Sequence, residues 1–245
     1  METLFMETTV QADKFLGERE RKNNIRNMCK NKKLVSSTYV LGEFKSNFLK
    51  DATSLYILVK DSADIGEAII RFSEVYSKRI SSRMGKLFGN LIKDCGIDNK
   101  EELLDTLEFY IEDLLVKRFK EDIDKILIDN TKCVRSLAKP YKEDGVWRIN
   151  VSCTKKPNPK CNVKEFLIND NIDSLKKLTQ LPEQMKNVED IIYQIVNNKD
   201  LPYGNNCRTL GDTIIALEAP KDSIIFSTNK KDFEPICEKI GRYLL

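Results

Sequence analysis

The chain opens on a short continuous apolar run, Thr3-Leu4-Phe5-Met6, of the kind presented by a parallel strand buried on both faces. The run stops at Glu7-Thr8-Thr9. A charged, helix-patterned stretch occupies residues 19–33, and Leu34-Val35-Ser36-Ser37 predicts a second short strand. In "TYVLGEFKSNFLK" after it, Val40, Leu41, Phe44 and Phe48 recur at helical spacing, with Glu43 in the first turns. The other end of the chain repeats the alternation. Residues 209–219 predict a helix closed by Pro220 and residues 222–228 ("DSIIFST") a strand. "KKDFEPICEKIGRY" predicts a helix closed by Gly241, and "RYLL" a last edge strand. Strand–helix alternation at both ends predicts an α/β fold with a parallel sheet. The middle differs. Residues 62–129 are helical in pattern, and Leu103, Leu104, Leu107, Ile111, Leu114, Leu115, Ile123, Ile126 and Leu127 form an apolar stripe over 101–127. "GVWRINVSC" then predicts a strand, "KPNPKC" a turn, and residues 163–197 a return to helix.

Composition narrows the class. At 245 residues the chain has room for one domain with a large insertion or for two small ones. Charged residues at 32% and hydrophobic residues at 41% describe a folded chain rather than a disordered one. No apolar run approaches the roughly 20 residues of a membrane span. The opening METLFMETTV lacks the basic start and long apolar core of a signal peptide, so a cytoplasmic location and no membrane partner are expected. Histidine is absent. That excludes a Ser-His-Asp triad, a Cys-His dyad, an HExxH metalloprotease and any His-ligated zinc. Neither GxxxxGK[ST] nor GxGxxG occurs, so the common nucleotide-cradling loops are missing.

Seven cysteines are scattered without a CxxC pair. Cys133, Cys153, Cys161 and Cys207 invite a zinc reading, but no pair has finger-like spacing, so free thiols and no structural zinc are expected. Charge is uneven. Residues 94–129 carry twelve acids against five Lys/Arg and read as the solvated face of long helices. Residues 19–33 carry seven Lys/Arg against one Glu, and residues 132–164 nine against two acids, with Tyr141 and Trp147 among them. Such basic stretches read as solvated surface, or as phosphate contacts if a nucleic-acid site is near.

Four carboxylates occupy comparable places in the predicted elements. Glu7 ends the first strand, Glu43 lies in the helix after the second, Asp212 opens a helix and Asp232 follows the last long strand. In open parallel sheets, ligand sites lie beyond the carboxyl ends of the strands. Clustered carboxylates repel unless cations neutralise them, and hard oxygen donors suit Mg²⁺ or Mn²⁺. Each acid has an ordinary alternative: a helix-terminal charge for Asp212, a cap for Asp232, a solvated helix position for Glu43.

"LFMETTV", "SSTYVLGEF", "LGDTIIAL" and "IIFSTNKKDFEPI" resemble, in order, the four motif blocks of the PIN-domain nucleases. The resemblance covers residues 1–50 and 205–245. It implies a three-layer PIN-like sandwich with a central parallel sheet, and leaves residues 51–204 as a mostly helical insertion containing the basic, strand-bearing segment near 132–164. It implies Glu7, Glu43, Asp212 and Asp232 as catalytic, metal-binding carboxylates, with Thr8, Ser227, Thr228 and Asn229 as polar support. It implies Mg²⁺ or Mn²⁺ as cofactor and endonucleolytic hydrolysis of phosphodiester bonds, of single-stranded RNA ahead of DNA. A homo-oligomer or a regulatory protein partner is compatible with it. Two features depart from the family pattern. Glu7 stands where the family usually has Asp, with Asp13 as the nearest other acid, and the segment between Glu43 and Asp212 is far longer than a compact PIN domain needs. These departures support an alternative, a degenerate PIN-like module that binds nucleic acid or protein without cleaving.

Overall fold

The computed structural model describes residues 1–75, 78–121, 123, 127–153, 160–198, 200 and 206–245. Strands β1 (Thr3–Met6) and β2 (Lys33–Val35) flank helices α1 (Thr8–Leu16) and α2 (Arg19–Cys29). Helix α3 (Thr38–Phe44) continues through a π-helical turn (Lys45–Leu49) into α4 (Lys50–Lys60). Then come α5 (Ile65–Val75), α6 (Lys78–Cys95), α7 (Lys100–Phe109) and α8 (Leu115–Glu121). A 3₁₀ turn (Val134–Leu137) leads into a hairpin of β3 (Pro140–Glu143) and β4 (Val146–Ile149). Helices α9 (Val163–Glu165), α10 (Ile172–Lys177) and α11 (Lys186–Asn198) precede the closing run of α12 (Asn206–Thr209), α13 (Gly211–Glu218), β5 (Ile224–Phe226), α14 (Lys230–Ile240) and β6 (Tyr243–Leu244).

Four strands form a parallel sheet in the order β2-β1-β5-β6. β1 is central. Its Phe5 lies opposite Val35 on one side and Ile225 on the other, so the first and last parts of the chain complete one sheet. Alternation along β1 sends Leu4 and Met6 to one face, with Val10, Ile25, Leu34 and Phe226. Phe5 goes to the other, into a core shared with Val35, Tyr39, Phe44, Ile214 and Ile225. Both faces are covered, which is why Thr3–Met6 reads as an unbroken apolar run. The larger core does not stop at the ends of the chain: Leu91, Leu103, Leu107, Ile192 and Ile195 from the middle segment belong to it.

Several element limits differ from the sequence expectation for identifiable reasons. Ser36 and Ser37 leave the second strand. Ser36 donates to the Met6 carbonyl at 2.8 Å, and Ser37 caps α3, accepting from the Val40 N–H at 3.2 Å. The strand expected over 222–228 shortens to Ile224–Phe226, because Ser227 turns its hydroxyl to Glu7 and Asp222 lies in a turn. The helix expected over 209–219 breaks at Leu210 into α12 and α13. The strand expected in 145–153 is the second arm of a hairpin whose first arm, "PYKE", has no apolar alternation to announce it. In the 101–127 stripe, Leu103, Leu107, Ile111 and Leu115 are buried, as is Phe119. Ile126 of that stripe, and residues 156–159 of the expected turn, lie outside the described residues.

Candidate functional site

The four acids expected from the sequence all lie where the parallel strands end. Glu7 directly follows β1 and is 1% exposed. It is the N-cap of α1: its carboxylate accepts from the Thr9 N–H at 2.7 Å, the Val10 N–H at 3.3 Å and the Thr9 hydroxyl. It also accepts from the Ser227 hydroxyl at 2.9 Å. Ser227 and Thr228 immediately follow β5, the strand beside β1, so parallel pairing puts the two strand ends together.

Glu43 reaches the same place from α3. Its Oε2 accepts from the Thr8 hydroxyl at 2.7 Å, which ties it to the residue after Glu7. Asp212 stands in the first turn of α13, and the residue before it explains how that helix comes so close. A methyl group on Gly211 would lie 2.7 Å from Glu43 Oε1 and 3.8 Å from the Tyr39 hydroxyl. Only a residue without Cβ lets the start of α13 approach Glu43 this closely.

Asp232 is in the first turn of α14, whose N-cap is Asn229. Asn229 Nδ2 donates to Asp232 Oδ2 at 2.8 Å, and the Asn229 N–H donates to Ser227 Oγ at 2.9 Å. Hydrogen bonds therefore run from Asp232 through Asn229 and Ser227 to Glu7. Thr228 joins from the side, sharing a 2.7 Å contact with the Thr9 hydroxyl and donating to Asp13 Oδ2 at 2.9 Å.

The electrostatics show the same convergence. Burial raises the Glu7 pKa; hydrogen bonds from Thr9 and Ser227 oppose the rise, and the charge of Glu43 adds to it. Burial likewise raises Glu43, opposed by the Thr8 hydrogen bond and the charges of Arg135 and Arg208. Asp212 is pushed up to about 8, first by burial and then by the charges of Glu43, Glu7 and Asp232. One carboxyl thus feels the other three, which is the third-party signature of a shared crevice.

The donor set is all carboxyl oxygen and partly desolvated, which fits a hard divalent cation by the chemistry of its donors. The geometry is not closed: among the described residues, no group of three or more His, Cys, Asp or Glu side chains is arranged to hold a metal ion. The acids share a field without meeting around one point.

Sequence patterns did not single out four further residues of this neighbourhood. Thr9 bonds to both Glu7 and Thr228. Tyr39, fully buried, donates to the Cys207 carbonyl at 2.5 Å. Arg208 lies close enough to Glu43 to act on it electrostatically. Arg135, one of the basic-segment residues expected at the surface, is 2% exposed, with its guanidinium 4.9 Å from the Tyr39 ring centroid. Trp147 is buried beneath Lys142, 5.0 Å from its ring centroid, as packing predicts. Asp13 does not replace Glu7. It pairs with Arg21 of α2 at 2.5 Å and links the rim of the acidic site to the basic helix. Lys22 and Arg26 of that helix, with Lys86 and Lys93 of α6, line a cleft of about 750 Å³. Among the described residues no helix is long and apolar enough to cross a membrane. No family model, curated protein or solved structure matches the chain.

Proposed function

We propose that the chain is a metal-dependent endonuclease of the PIN-like type, hydrolysing phosphodiester bonds of single-stranded RNA ahead of DNA. In this reading residues 1–50 and 205–245 form a three-layer nuclease core, and residues 51–204 are a helical insertion packed onto it. The observation that carries the reading is the meeting of Glu7, Glu43, Asp212 and Asp232, from four separate segments, in one field at the carboxyl edge of a parallel sheet. Glu43, Asp212 and Asp232, with Glu7, would hold Mg²⁺ or Mn²⁺. When bound, such a cation supplies Lewis-acid polarisation of the phosphate and an activated water at neutral pH. Thr8 fixes one oxygen of Glu43, and Asn229 fixes one of Asp232, leaving each carboxylate its second oxygen for a ligand. Lys22, Arg26, Lys86 and Lys93 offer positive charge to a polynucleotide backbone away from the reacting phosphate.

The test is cleavage of single-stranded RNA and DNA in Mg²⁺, Mn²⁺ or EDTA. Wild type should cleave with metal and stop in EDTA. Asp212→Asn and Asp232→Asn should lose at least about a hundredfold, since a ligand displaced by about 1 Å already costs that much. Cleavage that persists in EDTA, or that Asp212→Asn leaves unchanged, sinks the reading. One observation favours a second reading, a binding module without cleavage: Glu7 spends its acceptor capacity on the α1 cap and on Ser227. A wild type inert on every substrate, with activity appearing only in Glu7→Asp, would establish that reading instead.

A further inference from the structure

We propose that Cys133, Cys153, Cys161 and Cys207 form a tetrathiolate site for one structural Zn²⁺, separate from the carboxylate crevice and independent of the nuclease reading. This reverses the expectation drawn from their spacing, and the reason is tertiary. Cys133 and Cys207 meet the same face of α3. A methyl group on Gly42 would lie 2.9 Å from Cys133 Sγ, and the Tyr39 hydroxyl is 3.5 Å from Cys207 Sγ. Tyr39 and Gly42 are three residues apart on that helix and so share a face. Cys161 is brought in by its neighbour: the Asn162 N–H donates to the Thr131 carbonyl at 2.9 Å, and Asn162 Nδ2 donates to the Asn130 carbonyl at 2.9 Å. The chain carrying Cys161 therefore runs alongside the chain entering Cys133. Cys153 lies on the exit from the β3–β4 hairpin, two residues past buried Val151, and acts electrostatically on Cys133, Cys161 and Cys207. The remaining three cysteines are placed elsewhere. Cys29 Sγ contacts Met6 Sδ at 3.9 Å, Cys95 Sγ contacts the Thr106 hydroxyl at 3.3 Å, and Cys237 is buried in α14.

Arg135 is the second, independent observation. Its side chain is buried beside the Cys133 thiol, yet among the described residues Nε and Nη2 make no hydrogen bond of full geometry. A buried guanidinium with unmade hydrogen bonds is costly unless an anionic partner takes them. Its charge acts on Cys133, Cys161 and Cys207, all three of them thiols. Zinc bound by four thiolates retains an excess of negative charge, and N–H donors to the sulfurs are its usual outer partners. Arg135 is a cation already in place for that role.

Burial raises the thiols of Cys133 and Cys161 and pushes Cys207 up to about 11. They do not stand in ligand geometry as they are, and Cys153, which is exposed, has to turn inward to close the site. The consequence reaches the acids. Cys133 presses on Gly42, the residue before Glu43, and Cys207 lies on α12, which leads into Gly211 and Asp212. A metal joining these cysteines ties the segment packed against Gly42 to α12, the short helix that leads into α13.

The experiment is the metal content of the full-length protein, produced with zinc and iron both supplied and purified without chelator. One zinc per chain is expected by elemental analysis and native mass spectrometry, with X-ray absorption giving four sulfurs at about 2.3 Å. Cys133→Ser/Cys207→Ser should lose it; Cys29→Ser/Cys237→Ser should keep it, as should Asp212→Asn/Asp232→Asn, whose acids belong to the other site. Where the first double variant does not fold, cobalt-loaded wild type decides, because four thiolates give a strong near-ultraviolet charge-transfer band and carboxylates do not. Absence of zinc from wild type, oxygen in place of sulfur around it, its loss in the Asp212→Asn/Asp232→Asn variant alone, or iron with inorganic sulfide in its place would each overturn the proposal.

Discussion

Asp212 carries the most informative single charge in the molecule, because its folded pKa, about 8, lies far above the ordinary 3.8. Burial and three neighbouring carboxylates make its ionised form unfavourable in the folded state. Below pH 4 the residue is protonated whether folded or unfolded and makes no difference. Between 4 and 8 the folded chain keeps a proton that the unfolded chain releases, so the stability it contributes is lost steadily as pH rises through that window. Asp212→Asn removes the ionisation while keeping the shape. In metal-free buffer the variant should therefore gain on wild type in thermal melts as pH goes from about 4 to 8, and level off above. Added Mn²⁺ at pH 8 should raise wild type more than the variant. A stability difference that stays flat with pH would mean that the four acids do not share a field.

Helix positions matter as much as helix residues. The first turn of α13 can stand against Glu43 only because Gly211 has no side chain. Gly211→Ala should improve the intrinsic helix propensity of α13 by up to about 1 kcal/mol, yet it forces Glu43 Oε1 away from a Cβ placed 2.7 Å from it. Since Thr8 holds the other oxygen of Glu43, the carboxylate has to swing as a unit. Cleavage is expected to fall roughly tenfold to a hundredfold, with little change in melting temperature. Gly241 is the comparison. It closes α14 in the left-handed region at φ 71° with open space around it, so Gly241→Ala should cost about 1 kcal/mol and leave cleavage alone. Equal activity losses in the two variants would show that Gly211 acts through stability and not through Glu43.

At the scale of the whole molecule, the sheet is assembled from the two ends of the chain. β1 takes one neighbour from residues 33–35 and the other from residues 224–226. Half a sheet with an unpaired central strand leaves apolar Leu4, Phe5 and Met6 without their covering layers. Residues 1–50 alone, or 205–245 alone, should be unfolded by circular dichroism and should not melt cooperatively. Either fragment folding by itself would show that the core is not shared. The middle segment contributes to the same continuous core through α4, α6, α7 and α11, so its removal is expected to expose apolar surface on the Glu43-bearing helix.

Local pattern carried much of this. The apolar run Thr3–Met6, the helical spacing of Val40, Leu41 and Phe44, the helix opened by Asp212 and the strand ahead of "STN" were all legible, because short-range periodicity sets which elements form. The places of three of the four acids were legible for the same reason: Glu7 follows a strand end, Asp212 and Asp232 stand in the first turns of helices, and a parallel sheet brings such places to one edge, whereas Glu43 lies further along α3. What only the tertiary structure decided is which distant residues become neighbours. Nothing near Glu7 says that Ser227 will bond to it, since that depends on β5 pairing beside β1. Nothing in the basic run around Arg135 distinguishes the one guanidinium that is buried against Tyr39 from those left in solvent. Cys133 and Cys207 share no motif, because what brings both against α3 is the packing of the chain before a 3₁₀ turn and of α12 on Gly42 and Tyr39. Periodicity is a property of adjacent residues; the meeting of remote ones is fixed by strand order and by the close approach of backbones at Gly42 and Gly211.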